Sequence, residues 1–246
     1  MERRVAIITD ANMHVGPDLA IELAERGHDL VLGEPAEGLA DKLEAMGATV
    51  ETVTGVADLS REDAVPTLVK RALDRFGRLD AACIRTGKII RGDIFGATLE
   101  ELHLLSEQNI ASVFHALRAL LPPMVERRNG QVVIVTSATG TKPQPAAALY
   151  SATRAAANML VRNAAKSVAK EGVTVNAIGT NFLDYPGFVN ANRADDPAVR
   201  AKLEALVPVG RLGECHEIAH FCASLLDGVN RFQTGQFFSL SGGWSE

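Results

Sequence analysis

Positive charge is scarce in this chain, and so are cysteine and long apolar runs. Its 246 residues carry 25 Lys and Arg against 30 Asp and Glu, a formal net charge of −5. With no basic stripe, that balance argues against a nucleic-acid partner or an anionic membrane surface. Three cysteines, Cys83, Cys215 and Cys222, are an odd number for a disulfide framework. They fall in predicted strand or helix and read as reduced, buried thiols of a cytoplasmic protein. No apolar stretch reaches the roughly 18 residues that a membrane span needs. Met1-Glu2-Arg3-Arg4 opens onto only about five apolar residues, too short for a signal sequence. What remains is ordinary: 47% hydrophobic and 22% charged residues, in a length that one large α/β domain fills with a full core.

Strand and helix patterns alternate along the whole chain. Apolar or β-branched runs at Arg4–Thr9, Asp29–Leu32, Thr49–Thr54, Leu79–Ile84, Gln131–Thr136, Thr174–Ile178 and Gln236–Leu240 read as strands. Between them lie helical patterns, several closed by glycine: Gly27, Gly47 and Gly77. Thr98-Leu99-Glu100-Glu101 has the spacing of a capping box and opens a long helix that should end near Pro122-Pro123. A second long helix is predicted over Ala147–Lys170, and a loop over Gly179–Asp196, followed by two helices. Repeated βα units of this kind predict one domain, 1–246, on a parallel, doubly wound sheet.

The stretch Ser137–Arg154 carries the chemistry. Ser137 falls at the carboxyl end of the apolar run Val132-Val133-Ile134-Val135, where open α/β sheets place their ligands. Tyr150 and Arg154 are four residues apart and so share one face of the following helix. A phenol beside a permanent cation, with a hydroxyl opposite, is a site for proton transfer.

The first βα turn, Thr9-Asp10-Ala11-Asn12-Met13-His14-Val15-Gly16, bears on whether a dinucleotide joins them. Such a turn needs glycines so that backbone N–H groups can approach a pyrophosphate. Only Gly16 is in the regular place. Asp10 brings a carboxylate toward the diphosphate position, which is repulsive, and His14 puts a ring there. Glu34, about 20 residues on, stands roughly where an acidic residue would hold a ribose, although an exposed loop Glu is common and is the favoured explanation for it. The turn therefore reads as a dinucleotide site that has been filled in.

Taken together, Ser137, Tyr150-x-x-x-Arg154 and the closing Ser241-Gly242-Gly243-Trp244 resemble the short-chain dehydrogenase/reductase superfamily over essentially the whole chain. The resemblance implies a Rossmann-like sheet of about seven strands flanked by helices. Four motifs depart from the superfamily's common pattern. Arg154 stands for Lys, Asp10 and His14 for turn glycines, Ile84-Arg85-Thr86-Gly87 for Asn-Asn-Ala-Gly, and Thr180-Asn181 for Pro-Gly. Each falls on a cofactor contact, and the combination resembles the halohydrin dehalogenases, a branch that works without a cofactor.

That resemblance implies a carbon–halide lyase turning vicinal halohydrins into epoxides, with small anions opening epoxides in reverse. Tyr150 would be the general base, Arg154 the cation that lowers its pKa, and Ser137 the donor that orients the substrate oxygen. A halide pocket is expected from His14, Thr180, Asn181, Phe182 and Leu183, with the loop's backbone N–H groups as donors. Thr139 and Phe188 are expected at the substrate pocket. No residue is assigned to a cofactor or a metal. His216-Glu217-Ile218-Ala219-His220 matches a zinc motif but lacks a third ligand at a useful spacing. The two long helices carry apolar residues on more than one face, which suggests an interface between subunits, and the resemblance implies a homotetramer. Only two residues follow Trp244, so no long tail is expected over a neighbour's pocket. Glu34, together with Asn109, which matches a proton-relay position, keeps a divergent NAD(P)-dependent reductase open as the alternative. A non-catalytic ligand-binding protein on the same fold is a third reading.

Overall fold

A computed structural model describes residues 3–245. Met1, Glu2 and Glu246, which carry the two ends of the expected domain and of its short leader and tail, lie outside the described residues. The strands of the main sheet are β1 (Arg4–Ile8), β2 (His28–Gly33), β3 (Val50–Val53), β4 (Ala81–Arg85), β5 (Gly130–Ser137), β6 (Val173–Thr180) and, last in the chain, β9 (Phe237–Leu240). They run parallel in the order β3-β2-β1-β4-β5-β6-β9, the doubly wound α/β sheet expected. β5 and β6 are buried along all eight residues each, because helices cover both faces of the sheet and leave no strand side in water.

Helices α1 (Gly16–Glu25), α2 (Leu39–Ala45) and α9 (Cys215–Leu226) cover one face, through Leu19, Leu23, Leu43 and Cys222. On the other face lie α3 (Ala64–Phe76), α5 (Ser112–Glu126) and α6 (Ala148–Val168), through Leu68, Leu120 and Val161. The capping box forms at α4 (Leu99–Ser106): Glu101 N–H donates to Thr98 Oγ1 at 3.1 Å, and Thr98 N–H to Glu101 Oε2 at 2.9 Å. The helix does not end at Pro122-Pro123. A π-helical turn over Glu107–Ala111 links α4 to α5, and α5 runs through both prolines to Glu126. The segment expected as loop up to Asp196 contains α7 (Pro186–Asn192), and α8 (Pro197–Glu204) follows it. A two-residue strand pair, β7 (Leu183–Asp184) with β8 (Gly213–Glu214), is too short to leave a periodicity. Cys83 and Cys222 are buried, whereas Cys215 is only partly so. No helix among the described residues is long and apolar enough to cross a membrane.

At the amino ends of the strands one carboxylate organises the packing. Asp80 is fully buried; it accepts from Val5 N–H (2.9 Å), Arg78 Nε (2.7 Å) and Nη2 (2.9 Å), and Asn129 Nδ2 (2.6 Å). Burial pushes its pKa up, but Arg78 and the Val5 N–H outweigh that and hold it below the ordinary carboxylate value. A carboxylate with a depressed folded pKa stabilises the fold above its unfolded value, and that contribution fades as pH falls through the folded one. Asp80→Asn should therefore lose about 3 kcal/mol in urea unfolding at pH 7. It should also show a flatter loss of stability below about pH 4 than the wild type. Unchanged stability at pH 7 would remove Asp80 from this role.

Candidate active site

β5 ends at Ser137 in extended conformation, and a 3-10 turn over Ala138–Gly140 follows. The Ser137 hydroxyl accepts from Thr139 N–H at 3.2 Å and Thr139 Oγ1 at 2.9 Å, and its own proton points to Thr180 O at a long 3.5 Å. Its acceptor side is engaged, while its donor is held weakly enough to be given to a ligand. From α6, one helical turn apart, Tyr150 and Arg154 face the same place and are 9% and 4% exposed. The Arg154 guanidinium lies 5.1 Å from the Tyr150 ring centroid. It donates through Nη2 to Thr86 O at 2.6 Å and through Nη1 to Thr86 Oγ1 at 3.2 Å, while Nε is buried without a hydrogen-bond partner.

Thr86 and Gly87, just past β4, are therefore the seat of that cation. Gly87 has φ +99°, and a Cβ there would run into Asn109 Oδ1 and the Arg154 guanidinium. Asn109, in the π-helical turn, accepts from Lys88 N–H (2.8 Å) and donates to Thr153 Oγ1 (2.9 Å), so its side chain ties α6 to this loop. Burial pushes the Tyr150 phenol up, but Arg154, the Ser137 hydroxyl and Arg85 together bring it below its ordinary value. The phenol is thus primed to give and take a proton.

In the β1–α1 turn, Asp10 and His14 both hold left-handed backbone, φ 50° and 53°, so the conformation that glycine favours is kept without glycine. The Asp10 carboxylate is not a bare charge: Arg85 Nη1 binds its Oδ2 at 2.6 Å. The backbone of Arg85 is fixed to the same turn through Thr9 Oγ1 at 2.9 Å. His14 stacks edge-on against Tyr185, centroids 4.9 Å apart. Its Nε2 is 3.4 Å from Thr180 Oγ1 and its Nδ1 has no partner. Burial first, and the charge of Arg85 second, push its pKa down to about 3, so the ring is neutral at pH 7. Glu34 turns one carboxylate oxygen back to Val56 N–H at 2.7 Å, which accounts for an acid at that position.

A cavity of about 460 Å³ joins these parts. Ser137, Thr139, Tyr150, Arg154, His14, Thr180, Asn181, Phe182, Leu183 and Phe188, all the residues expected at the site, line it. Arg85, Thr86 and Gly87, which stand out in the sequence only as a departure from a motif, line it as well, and so does Tyr185, for which the sequence gives no role. Arg85 and Asp10 stood out only as separate departures from a pattern; no local signal pairs residues 75 positions apart.

The loop expected to cradle an anion is otherwise engaged. Phe182 N–H donates to Asn181 Oδ1 at 2.9 Å, and Leu183 is drawn into the β7–β8 pair. The residues of the zinc-like motif also diverge. His216 Nδ1 meets Glu214 at 3.2 Å, and Glu217 takes the fork of Arg211 at 2.6 and 2.8 Å. His220 Nδ1 meets Glu22 at 3.1 Å. Among the described residues no cluster is arranged to hold a metal ion.

Comparison with known proteins agrees on one lineage. A family model described as enoyl-(acyl carrier protein) reductase matches residues 12–245. The uncharacterized oxidoreductase YmfI of Bacillus subtilis is 32% identical, with 98% of each chain covered. The 3-oxoacyl-[acyl-carrier-protein] reductase FabG of Staphylococcus aureus is 28% identical over 97% of this chain and 96% of its own. Among solved structures, levodione reductase superposes with a TM-score of 0.87 at 27% identity, covering 98% of this chain and 97% of its own.

These likenesses overturn the expectation of halohydrin dehalogenation and of a cofactor-independent lyase. The family model, the Staphylococcus aureus relative and the superposed structure are each described as reductases. Among the departures that carry that expectation, the Asp10 carboxylate is balanced: Arg85, itself one of the departures, pairs with it at 2.6 Å. Of the donor set expected in a halide pocket, the Phe182 N–H is already engaged by Asn181.

The Tyr150–Arg154 pair has a direct optical test. In a Tyr185→Phe background Tyr150 is the sole tyrosine, and its phenolate absorbance should rise at lower pH than a free tyrosine's. Adding Arg154→Met should move that midpoint up by about 1–3 units, the usual effect of removing a neighbouring cation. An unmoved midpoint would show that Arg154 does not tune the phenol.

Proposed function

For a chain that belongs to the short-chain dehydrogenase/reductase superfamily, as the match over residues 12–245 establishes, we propose an oxidoreductase that interconverts a carbonyl and an alcohol with a nicotinamide dinucleotide. The observation that carries this reading is the buried Tyr150 phenol, held below its ordinary pKa beside Arg154 and Ser137 at the strand ends.

The residues present fit such a dinucleotide in three respects. The β1–α1 turn keeps its left-handed geometry at residues 10 and 14. Gly16 still packs so tightly under Asp10 that a Cβ would collide with its backbone. At the other end, Arg154 offers a buried, unpartnered Nε–H beside the cavity. Arg154, Thr86, Arg85 and the turn are the residues that would hold the group; when bound, it supplies or accepts a hydride at the substrate carbon.

The chain's own residues then handle the proton. Ser137 exchanges its long bond to Thr180 O for one to the substrate oxygen. Tyr150 donates its proton to that oxygen in reduction and withdraws it in oxidation. Arg154 stabilises the phenolate left behind, and Thr86 keeps the guanidinium in place. Ile89, Phe182, Phe188, Leu203 and Leu206 form an apolar wall of the cavity, which suits a substrate with an apolar body. The reductase names of the relatives support this assignment.

We place the enzyme in a reducing compartment such as the cytoplasm, in keeping with its free cysteines. We propose a homotetramer assembled in part through α5 and α6, whose outer faces expose Phe114 and Met159 at 45% and 52%. Mass photometry should give four times the 26.2 kDa chain mass; a monomer would exclude this assembly.

With NADPH or NADH and a panel of ketones and aldehydes, the protein should consume cofactor. Tyr150→Phe should lower kcat/KM by about 10²–10⁴-fold. In the reductive direction kcat/KM should fall as pH rises through the depressed pKa of Tyr150, because the phenol must carry the proton it gives. No cofactor consumption with any carbonyl, or full activity in Tyr150→Phe, would overturn the proposal.

A further inference from the structure

We propose that Arg85 is the diphosphate-binding cation of this groove and that Asp10 is an internal stand-in which holds it until a ligand arrives. The inference rests on the dinucleotide reading above and assigns the residues that replace its missing glycines.

The sheet puts Arg85 in the right crevice. β4 pairs with β1, through Ala6–Ala81, Ile7–Ala82 and Ile8–Cys83, and the strand order reverses between them. The gap outside their carboxyl ends is where a doubly wound sheet binds its ligand. Arg85 closes β4 at that gap, and its side chain reaches across to the opposite rim, the β1–α1 turn.

Part of the turn's donor set is already used within the protein. Ala11 N–H goes to Gly33 O (3.0 Å), Met13 N–H to Asp10 O (3.1 Å) and Gly16 N–H to Met13 O (3.1 Å). A glycine-rich turn aims such groups at phosphate oxygens; here the Met13 and Gly16 N–H groups close the turn and that of Ala11 ties it to β2. A planar guanidinium, with paired N–H donors and a fixed charge, is the side chain suited to replace them.

Asp10 explains why that cation can wait without a ligand. Arg85 is only 26% exposed and Asp10 17%, so the guanidinium would be costly to leave unpaired. The carboxylate meets it through one contact, Arg85 Nη1 to Asp10 Oδ2 at 2.6 Å, a place that a phosphate oxygen can take. Asp10 and a bound diphosphate cannot both face Arg85 without repulsion, so they compete for one guanidinium. Removing the carboxylate should tighten diphosphate binding, and removing the guanidinium should weaken it.

Isothermal titration with NADPH, ADP-ribose and inorganic pyrophosphate, at two salt concentrations, tests this without reference to turnover. Asp10→Asn keeps a residue that tolerates positive φ and should bind all three at least tenfold tighter than wild type. Arg85→Gln should bind each at least tenfold more weakly and lose part of the salt dependence. Arg85→Lys, which keeps the charge and loses the fork, should fall between; it also guards against a misfolded Gln variant, and thermal unfolding checks each protein. If wild type and all variants bind NADPH within twofold of one another, the latch is overturned and the dinucleotide reading stands. If Asp10→Asn binds pyrophosphate in an Arg85-dependent way but no variant binds NADPH, the latch stands and the dinucleotide reading falls. Binding of none of the three by any variant overturns both.

Discussion

A buried guanidinium is the constraint from which the site follows. Arg154 is 4% exposed, and a cation removed from water must be given hydrogen bonds or a negative partner. Thr86 supplies the hydrogen bonds, through its carbonyl and hydroxyl. Among the described residues no carboxylate pairs with it, and a negative partner arises when Tyr150 ionises. The chemistry of the phenol and the stability of the cation are therefore one problem with one solution. That coupling also explains Gly87, where a side chain would displace Arg154, and Asn109, whose bonds to Lys88 and Thr153 fasten the loop to α6.

The same rule operates at the other end of the cavity. Asp10 and Arg85, each partly withdrawn from water, meet across the crevice between β1 and β4. Their pairing keeps the turn electrically quiet, and His14, neutral and packed on Tyr185, adds no charge to it. The cavity thus has one cation committed to the phenol and a second whose partner can be exchanged. On the proposed reading, the acid–base site at one end serves a carbonyl substrate and the releasable cation at the other a doubly charged cofactor.

Much of the fold was legible from periodicity alone, because parallel strands covered on both faces are continuous apolar runs and the helices between them end at glycines. The site residues were legible too: Ser137 at a strand end and Tyr150 and Arg154 four apart must meet once the sheet is parallel. What pattern could not show was long-range pairing. Asp10 reads as repulsive from the sequence because Arg85, 75 residues on, cannot be seen there as its partner. Short features were also illegible. The β7–β8 pair has two residues a side, and α5 runs through Pro122 and Pro123, where local rules place a stop.

The most direct measurement is the fate of a labelled hydride. With NADPH carrying deuterium at the transferred position, mass spectrometry of the product should find one deuterium on the former carbonyl carbon. The proton on oxygen, delivered by way of Tyr150, should come from solvent. Conversion of a carbonyl substrate with no deuterium on that carbon would contradict the account.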